Sequence, residues 1–207
     1  MSVVVPPISV LDHENVHQRV ACVELRSALR FFDLAPDDRW SEALVVEAGA
    51  HLEINGSEDC PMLRRVLETG SLDRYKQWIG VADQQIQSGL VMPPKELPST
   101  SPDRLAVSKS KLDAPDLEEI KRAFDYYTFG NSAVVTDYHS VITMHCAPFA
   151  AALYACRELE IQSGATLEFT NLPAILLLDR LIIHQGGAVK FYTPAKVVVG
   201  VLEKVGA

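Results

Sequence analysis

From Gly164 to Pro194 the chain reads Gly-Ala-Thr-Leu-Glu-Phe-Thr-Asn-Leu-Pro-Ala-Ile-Leu-Leu-Leu-Asp-Arg-Leu-Ile-Ile-His-Gln-Gly-Gly-Ala-Val-Lys-Phe-Tyr-Thr-Pro. Ala165–Thr170 and Ala188–Tyr192 are short runs of the β type, with β-branched and aromatic residues. Between them, Asn171-Leu-Pro173 opens an apolar stretch that Gly186-Gly187 closes. Asparagine can cap orphan helix amides, and proline in the first turn loses no hydrogen bond. Glycine then accepts the left-handed C-cap conformation. The stretch predicts strand, helix, strand.

The same opening recurs at Asp113-Ala-Pro115, Cys146-Ala-Pro148 and Thr193-Pro194, and Gly164 stands where the second of these helices should end. The helix from Pro115 carries Leu117, Ile120, Phe124 and Tyr127 on one face, with Glu118, Glu119, Lys121 and Arg122 outside it. Arg104–Ser108 and Ala133–Asp137 read as further strands. Strands alternating with helices imply an α/β fold with a mostly parallel sheet, here a βαβα domain over residues 104–207. Four prolines between Val91 and Asp103 forbid regular helix and make 93–103 a linker.

Residues 1–92 are expected to form a mainly helical domain, a sensor or scaffold. Ser71–Leu90 places Leu72, Tyr75, Ile79, Ala82 and Ile86 at helical spacing, and Asp59–Glu68 reads as a shorter helix. Glu14–Phe32 is either one buried helix or a strand at Arg19–Leu25 running into a helix. No internal repeat at solenoid spacing is read.

The 207 residues carry 19 basic and 27 acidic side chains, a net charge of -8. An acidic chain without a Lys/Arg block repels phosphate backbones, which argues against nucleic-acid binding. The longest apolar run, Ala147–Cys156, is too short to span a bilayer, and Met1-Ser-Val-Val-Val-Pro-Pro lacks the basic region of a secretory signal. Cys22, Cys60, Cys146 and Cys156 form no CxxC, which fits reduced thiols in a cytoplasmic protein.

His13-Glu14-Asn15-Val16-His17 matches the H-E-x-x-H zinc pattern, but Asp12, Asn15, Gln18 and Arg19 make it a solvated helix start rather than a buried ligand helix. Glu24 or His51 would have to supply a third ligand. His145-Cys146 precedes an expected helix, a position that favours thiolate. A cysteine phosphatase loop would need arginine where Ala152 stands, and adjacent Cys and His rarely face each other. The apolar neighbours Ala147, Pro148 and Phe149 make burial the stronger influence, so an unreactive thiol is expected. His139, His145, Cys146 and Asp137 match no metal-ligand spacing, and no GxGxxG or Walker loop exists. The sequence therefore predicts no catalytic set, metal or cofactor.

From about Leu105 to Ala207 the chain resembles a STAS domain, the fold of anti-sigma factor antagonists. The resemblance rests on Leu112-Asp-Ala-Pro-Asp-Leu-Glu-Glu-Ile120 and on Val134-Val-Thr-Asp-Tyr-His-Ser-Val-Ile-Thr-Met-His-Cys-Ala-Pro-Phe149, followed by Gly164, the strand at Leu167–Thr170 and Gly186. The family's phosphoacceptor serine falls on Cys146, its preceding aspartate on His145 and a glycine on Pro148. The resemblance thus implies a docking surface without the phosphoswitch. It implies a non-enzymatic regulatory protein in signal transduction, binding protein partners such as a switch kinase or other STAS proteins through Tyr138, His139, Ser140, His145, Cys146, Ala147, Pro148 and Phe149. The alternatives are an assembly protein forming a homodimer or larger homo-oligomer, and an enzyme using Cys146.

Overall fold

The computed structural model describes residues 2–5, 9–12, 22–34, 43–55, 62 and 64–206. The chain forms two compact units, one from residues 1–67 and 151–207, the other from 68–150. The boundary expected at 93–103 lies inside the second unit.

The first unit holds β1 (Ser2–Val5), β2 (Ser9–Asp12), α1 (Cys22–Phe31), β3 (Ala43–Val46), β4 (His51–Ile54) and β5 (Arg64–Thr69). After the second unit follow β6 (Phe149–Ile161), β7 (Thr166–Phe169), β8 (Ala174–His184), β9 (Ala188–Phe191) and β10 (Ala195–Val205). One sheet runs β1-β10-β8-β6-β3, with β5 also paired to β6, and the other runs β2-β9-β7-β4. β3, β6, β8 and β10 are mutually parallel, as are β4, β7 and β9.

The register shows how the chain climbs. Ala152 faces Ala174 and Ala174 faces Ala195, a step of 22 residues (152 to 174) and then 21 (174 to 195). Each long strand is followed by a tight turn, a short strand, a corner and the next long strand directly beside the last. This is a parallel β-solenoid rather than a sheet with crossover helices. Its core is built of columns: Tyr154, Leu176 and Val197; Cys156, Leu178 and Val199; Leu159 and Leu181; Ile161 and Ile183. Phe169 stacks on Phe191 with ring centroids 5.1 Å apart and planes 13° from parallel. Along β6 the core residues are Ala152, Tyr154 and Cys156, then Leu159 and Ile161, so the inward phase shifts by one. The ladder skips Arg157 against Asp179 and Asp179 against Gly200 at that point. A Cβ on Gly200 would sit 2.7 Å from the Asp179 carbonyl oxygen, so only glycine fits beside β8 at this irregularity.

The turns repeat as well. Gly49, Gly164 and Gly186 occupy one position in successive coils with φ of 70°, 69° and 74°. The Ala50 amide donates to the Glu47 carbonyl and Ala165 to Gln162, closing β-turns whose third residue must be left-handed. We expect Gly164→Ala to cost about 1 kcal/mol, because an L side chain there is strained, and a thermal melt of the variant measures it.

Four expectations are corrected. Helices expected after Pro148, Pro173 and Pro194 are the strands β6, β8 and β10. Pro173 and Pro194 stand at corners, and their carbonyls accept from the Ala152 and Ala174 amides, so the missing N–H costs no ladder bond. The strands expected at Arg104–Ser108 and Ala133–Asp137 are a short helix and a 3-10 segment. Among the described residues of 1–92 the five strands β1 to β5 stand beside three helices, and 64–69 is strand rather than helix. The motif His13–His17 lies outside the described residues, and of the strand expected at Arg19–Leu25 the described part, Cys22–Leu25, is the start of α1.

The second unit is helical, with α2 (Leu72–Ile79), α3 (Asp83–Gln87), α4 (Pro102–Leu105), α5 (Ala114–Phe129) and α6 (His139–Cys146). Here the capping signal at Asp113 is realised: its side chain accepts from the Asp116 amide, and Asp116 answers to the Asp113 amide. Tyr75, Phe124 and Phe149 pack together, with the last two rings stacked at 5.8 Å. A second cluster joins Leu105, Ile120 and Val141, with Leu112, Tyr138 and Cys146 against it.

Candidate functional site

The chemistry-bearing side chains of the helical unit gather at two places. At the first, Lys76 near the end of α2 reaches the C-terminus of α5. Its Nζ donates to the Tyr127 carbonyl at 2.6 Å, the Gly130 carbonyl at 2.9 Å and Asp83 Oδ1 at 2.9 Å. An ammonium has three protons, so the group is saturated, and it satisfies carbonyls that a helix end leaves orphaned. Burial holds Lys76 below its ordinary pKa, opposed by its bond to Asp83. Asp83 is also pushed up by burial, but the Ser132 hydroxyl and amide and Lys76 outweigh this and leave it below the carboxylate range. Beside this cluster Tyr127 donates its hydroxyl to Asp73, and burial with that bond raises the phenol. His139 lies 3.8 Å from Asp73 and edge-on to the Tyr127 ring.

At the second place Glu119 on α5 binds the segment that had been read as a linker. Its carboxylate accepts from the Ser99 amide at 2.6 Å and the Thr100 amide at 3.0 Å, and pairs with Arg122 at 2.7 Å. The bonds from Thr100 and Ser99 hold its pKa down. The Tyr138 hydroxyl donates to the Thr100 carbonyl at 2.7 Å, which fixes the segment from a second helix. Ser99–Thr100 is therefore a docked strap.

Both carboxylates, Asp83 and Glu119, have folded pKa values below their unfolded ones. Their contribution is complete above the ordinary carboxylate pKa of about 4 and is lost as pH falls through the folded value. We expect Glu119→Gln to flatten the acid limb of the stability–pH curve of the helical unit, measured by denaturant titration at several pH values.

The surface expected at residues 138–149 divides on inspection. Ser140 and Pro148 are exposed; Tyr138, His139, His145, Cys146 and Ala147 are half-buried; Phe149 is buried. His145 Nε2 lies 3.0 Å from the Leu105 carbonyl oxygen. Cys146 is the last residue of α6, not the first of a new helix, because Val141–Met144 is helical rather than extended. The dipole there disfavours thiolate, and burial pushes the thiol up, opposed by Lys109 and assisted by Asp125. Cys156, in the solenoid core, is pushed up by burial to about 12. With a thiol reagent at neutral pH we expect both cysteines to label more slowly than a free thiol, with Cys156 labelling only on unfolding.

Lys76, Asp83, Asp73 and Glu119 were not singled out from the sequence, because their partners come from residues far along the chain. Among the described residues no group of His, Cys, Asp or Glu could hold a metal ion, and no helix is long and apolar enough to cross a membrane. No family model, no curated protein and no solved structure matches the chain.

Proposed function

We propose that the chain is a non-enzymatic interaction protein in which the β-solenoid is the scaffold and the helical unit, inserted between the paired strands β5 and β6, carries the contact surface for a protein partner. The polar clusters support a binding role, since their side chains are spent on each other and on backbone rather than aimed at a reacting atom. The observation that carries the reading is the exposure of Leu90 and Met92, 74% and 83%. They lie just before Pro93-Pro94, which restricts the backbone and lowers the entropy lost on docking. Two large apolar side chains this exposed, two residues apart, would gain free energy by burial against a partner. The proposal does not draw on the STAS resemblance, whose helices after residue 148 are not formed.

Leu90→Ser with Met92→Ser should abolish recovery of the partner from an extract of the native cell while leaving the melting temperature within about 1 °C, since neither side chain packs in the core. Unchanged recovery would move the contact surface elsewhere, with Ser140, Met144 and Pro148 the next to be changed.

A further inference from the structure

The two ends of the solenoid differ. At one end the last coil is covered on both sheets by an antiparallel strand, β1 on β10 and β2 on β9, which makes β1 and β2 the edge strands there. At the other end β3 and β4 close the sheet orders, and among the described residues no strand pairs with the outer edge of β4. A strand edge left this way is a template for pairing.

The backbone says which groups are on offer. The Thr166 amide donates to the Ala50 carbonyl and the Thr170 amide to Ile54, so even-numbered residues of β4 face β7. By strand alternation, His51 and Glu53 present their N–H and C=O groups outward. Two antiparallel copies of β4 can then exchange hydrogen bonds only if odd residues face odd ones. Of the registers that do so, one centred on Leu52 sets His51 of each copy opposite Glu53 of the other. Centring on Glu53 would oppose two carboxylates, and centring on His51 would oppose two imidazoles.

The charges in the single chain favour the same register. Glu53 stands directly opposite Glu168, a like-charged pair. Glu168 is compensated by Lys190 at 3.2 Å, His51 at 3.5 Å and the Tyr192 hydroxyl at 3.2 Å. Glu53 has the Thr170 hydroxyl at 2.7 Å and no ion pair among the described residues. We propose that the β4 edge is an interface with a second copy of this chain, β4 pairing antiparallel with β4 about a two-fold axis at Leu52. Pairing of β4 with β4 about a two-fold axis is isologous, and it occupies that edge in both copies, so this contact closes at two. This is independent of the partner-binding reading above.

Sedimentation equilibrium of the full chain tests it. The wild type should approach twice 22.8 kDa as concentration rises. Glu53→Lys should stay monomeric over the same range, with a melting temperature unchanged or raised, since lysine now faces Glu168 within the sheet. Adding His51→Glu to Glu53→Lys restores opposite charges across the axis and should restore the dimer. A wild type that is monomeric throughout, a mass that climbs past two copies, or a Glu53→Lys variant that still dimerises fully would overturn the proposal.

Discussion

Lys76→Met is expected to lower the stability of the helical unit by about 3 kcal/mol, the order found when one partner of a mostly buried ion pair is removed. The side chain is 12% exposed, and its ammonium serves two carbonyls and a carboxylate at once. Methionine keeps a stem of similar length but not the ammonium, which stands 5.6 Å from the centre of the Tyr127 ring, so the loss is one of charge and donors rather than of volume. What remains is an Asp83 carboxylate facing the vacated position and two carbonyls without a donor. Amide hydrogen exchange at Tyr126–Gly130 localises the effect. Exchange there unchanged from wild type would mean that water replaces the ammonium without cost.

Phe191→Ala is the second large effect, a loss of about 3–5 kcal/mol from the solenoid. Phe191 is fully buried, stacks on Phe169, and belongs to a column with Phe169 and Ile54 that runs through successive coils. The neighbouring coil is held in register by other columns and β2 pairs on the far side of β9, so the cavity can close only partly. Phe191→Leu keeps most of the volume and should cost less than half as much, read from chemical denaturation. Similar losses for both variants would mean that the aromatic stack, not the filled volume, holds this corner.

What the sequence could reveal depended on which interactions were local. The helix from Ala114 was legible because its cap and its helical spacing lie within one segment, although Leu117, expected on the inner face, is exposed and Glu119, expected outside it, is buried. The short strands at 166–169 and 188–191 were legible from their β-branched and aromatic residues, and so was a mostly parallel arrangement of strands. The long strands were not. Ala174-Ile-Leu-Leu-Leu178 is buried on both sides, with α1 packed against β8 and β10, and a continuous apolar run has no period to separate strand from helix. Proline before it and glycine after it then completed a false helix. The glycines were read correctly as left-handed but placed in the wrong element: they close β-turns. The repeat that settles the matter was present in the letters, as Leu44-Val-Val46 with Gly49 and Leu52-Glu-Ile54, Leu159-Glu-Ile161 with Gly164 and Leu167-Glu-Phe169, and Leu181-Ile-Ile183 with Gly186 and Val189-Lys-Phe191. The helical unit, inserted between its first and second copies, hides the period from a search at fixed spacing. The site was the least legible part. Cys146 was expected to open a helix and instead ends one, and the saturated Lys76 and Glu119 clusters join residues some twenty to fifty positions apart.

Residues 151–205 climb as parallel coils in the register that aligns Ala152, Ala174 and Ala195. All three alanines are fully buried. Neighbouring strands lie about 4.8 Å apart, so in-register methyl groups on successive coils fall within range of a nuclear Overhauser effect. With alanine methyls selectively labelled, cross-peaks are expected between Ala152 and Ala174 and between Ala174 and Ala195, with none between Ala152 and Ala195, two strands apart. Helices running from residues 148, 173 and 194 would scatter these methyls, and the absence of both neighbouring cross-peaks in a folded sample would contradict the solenoid.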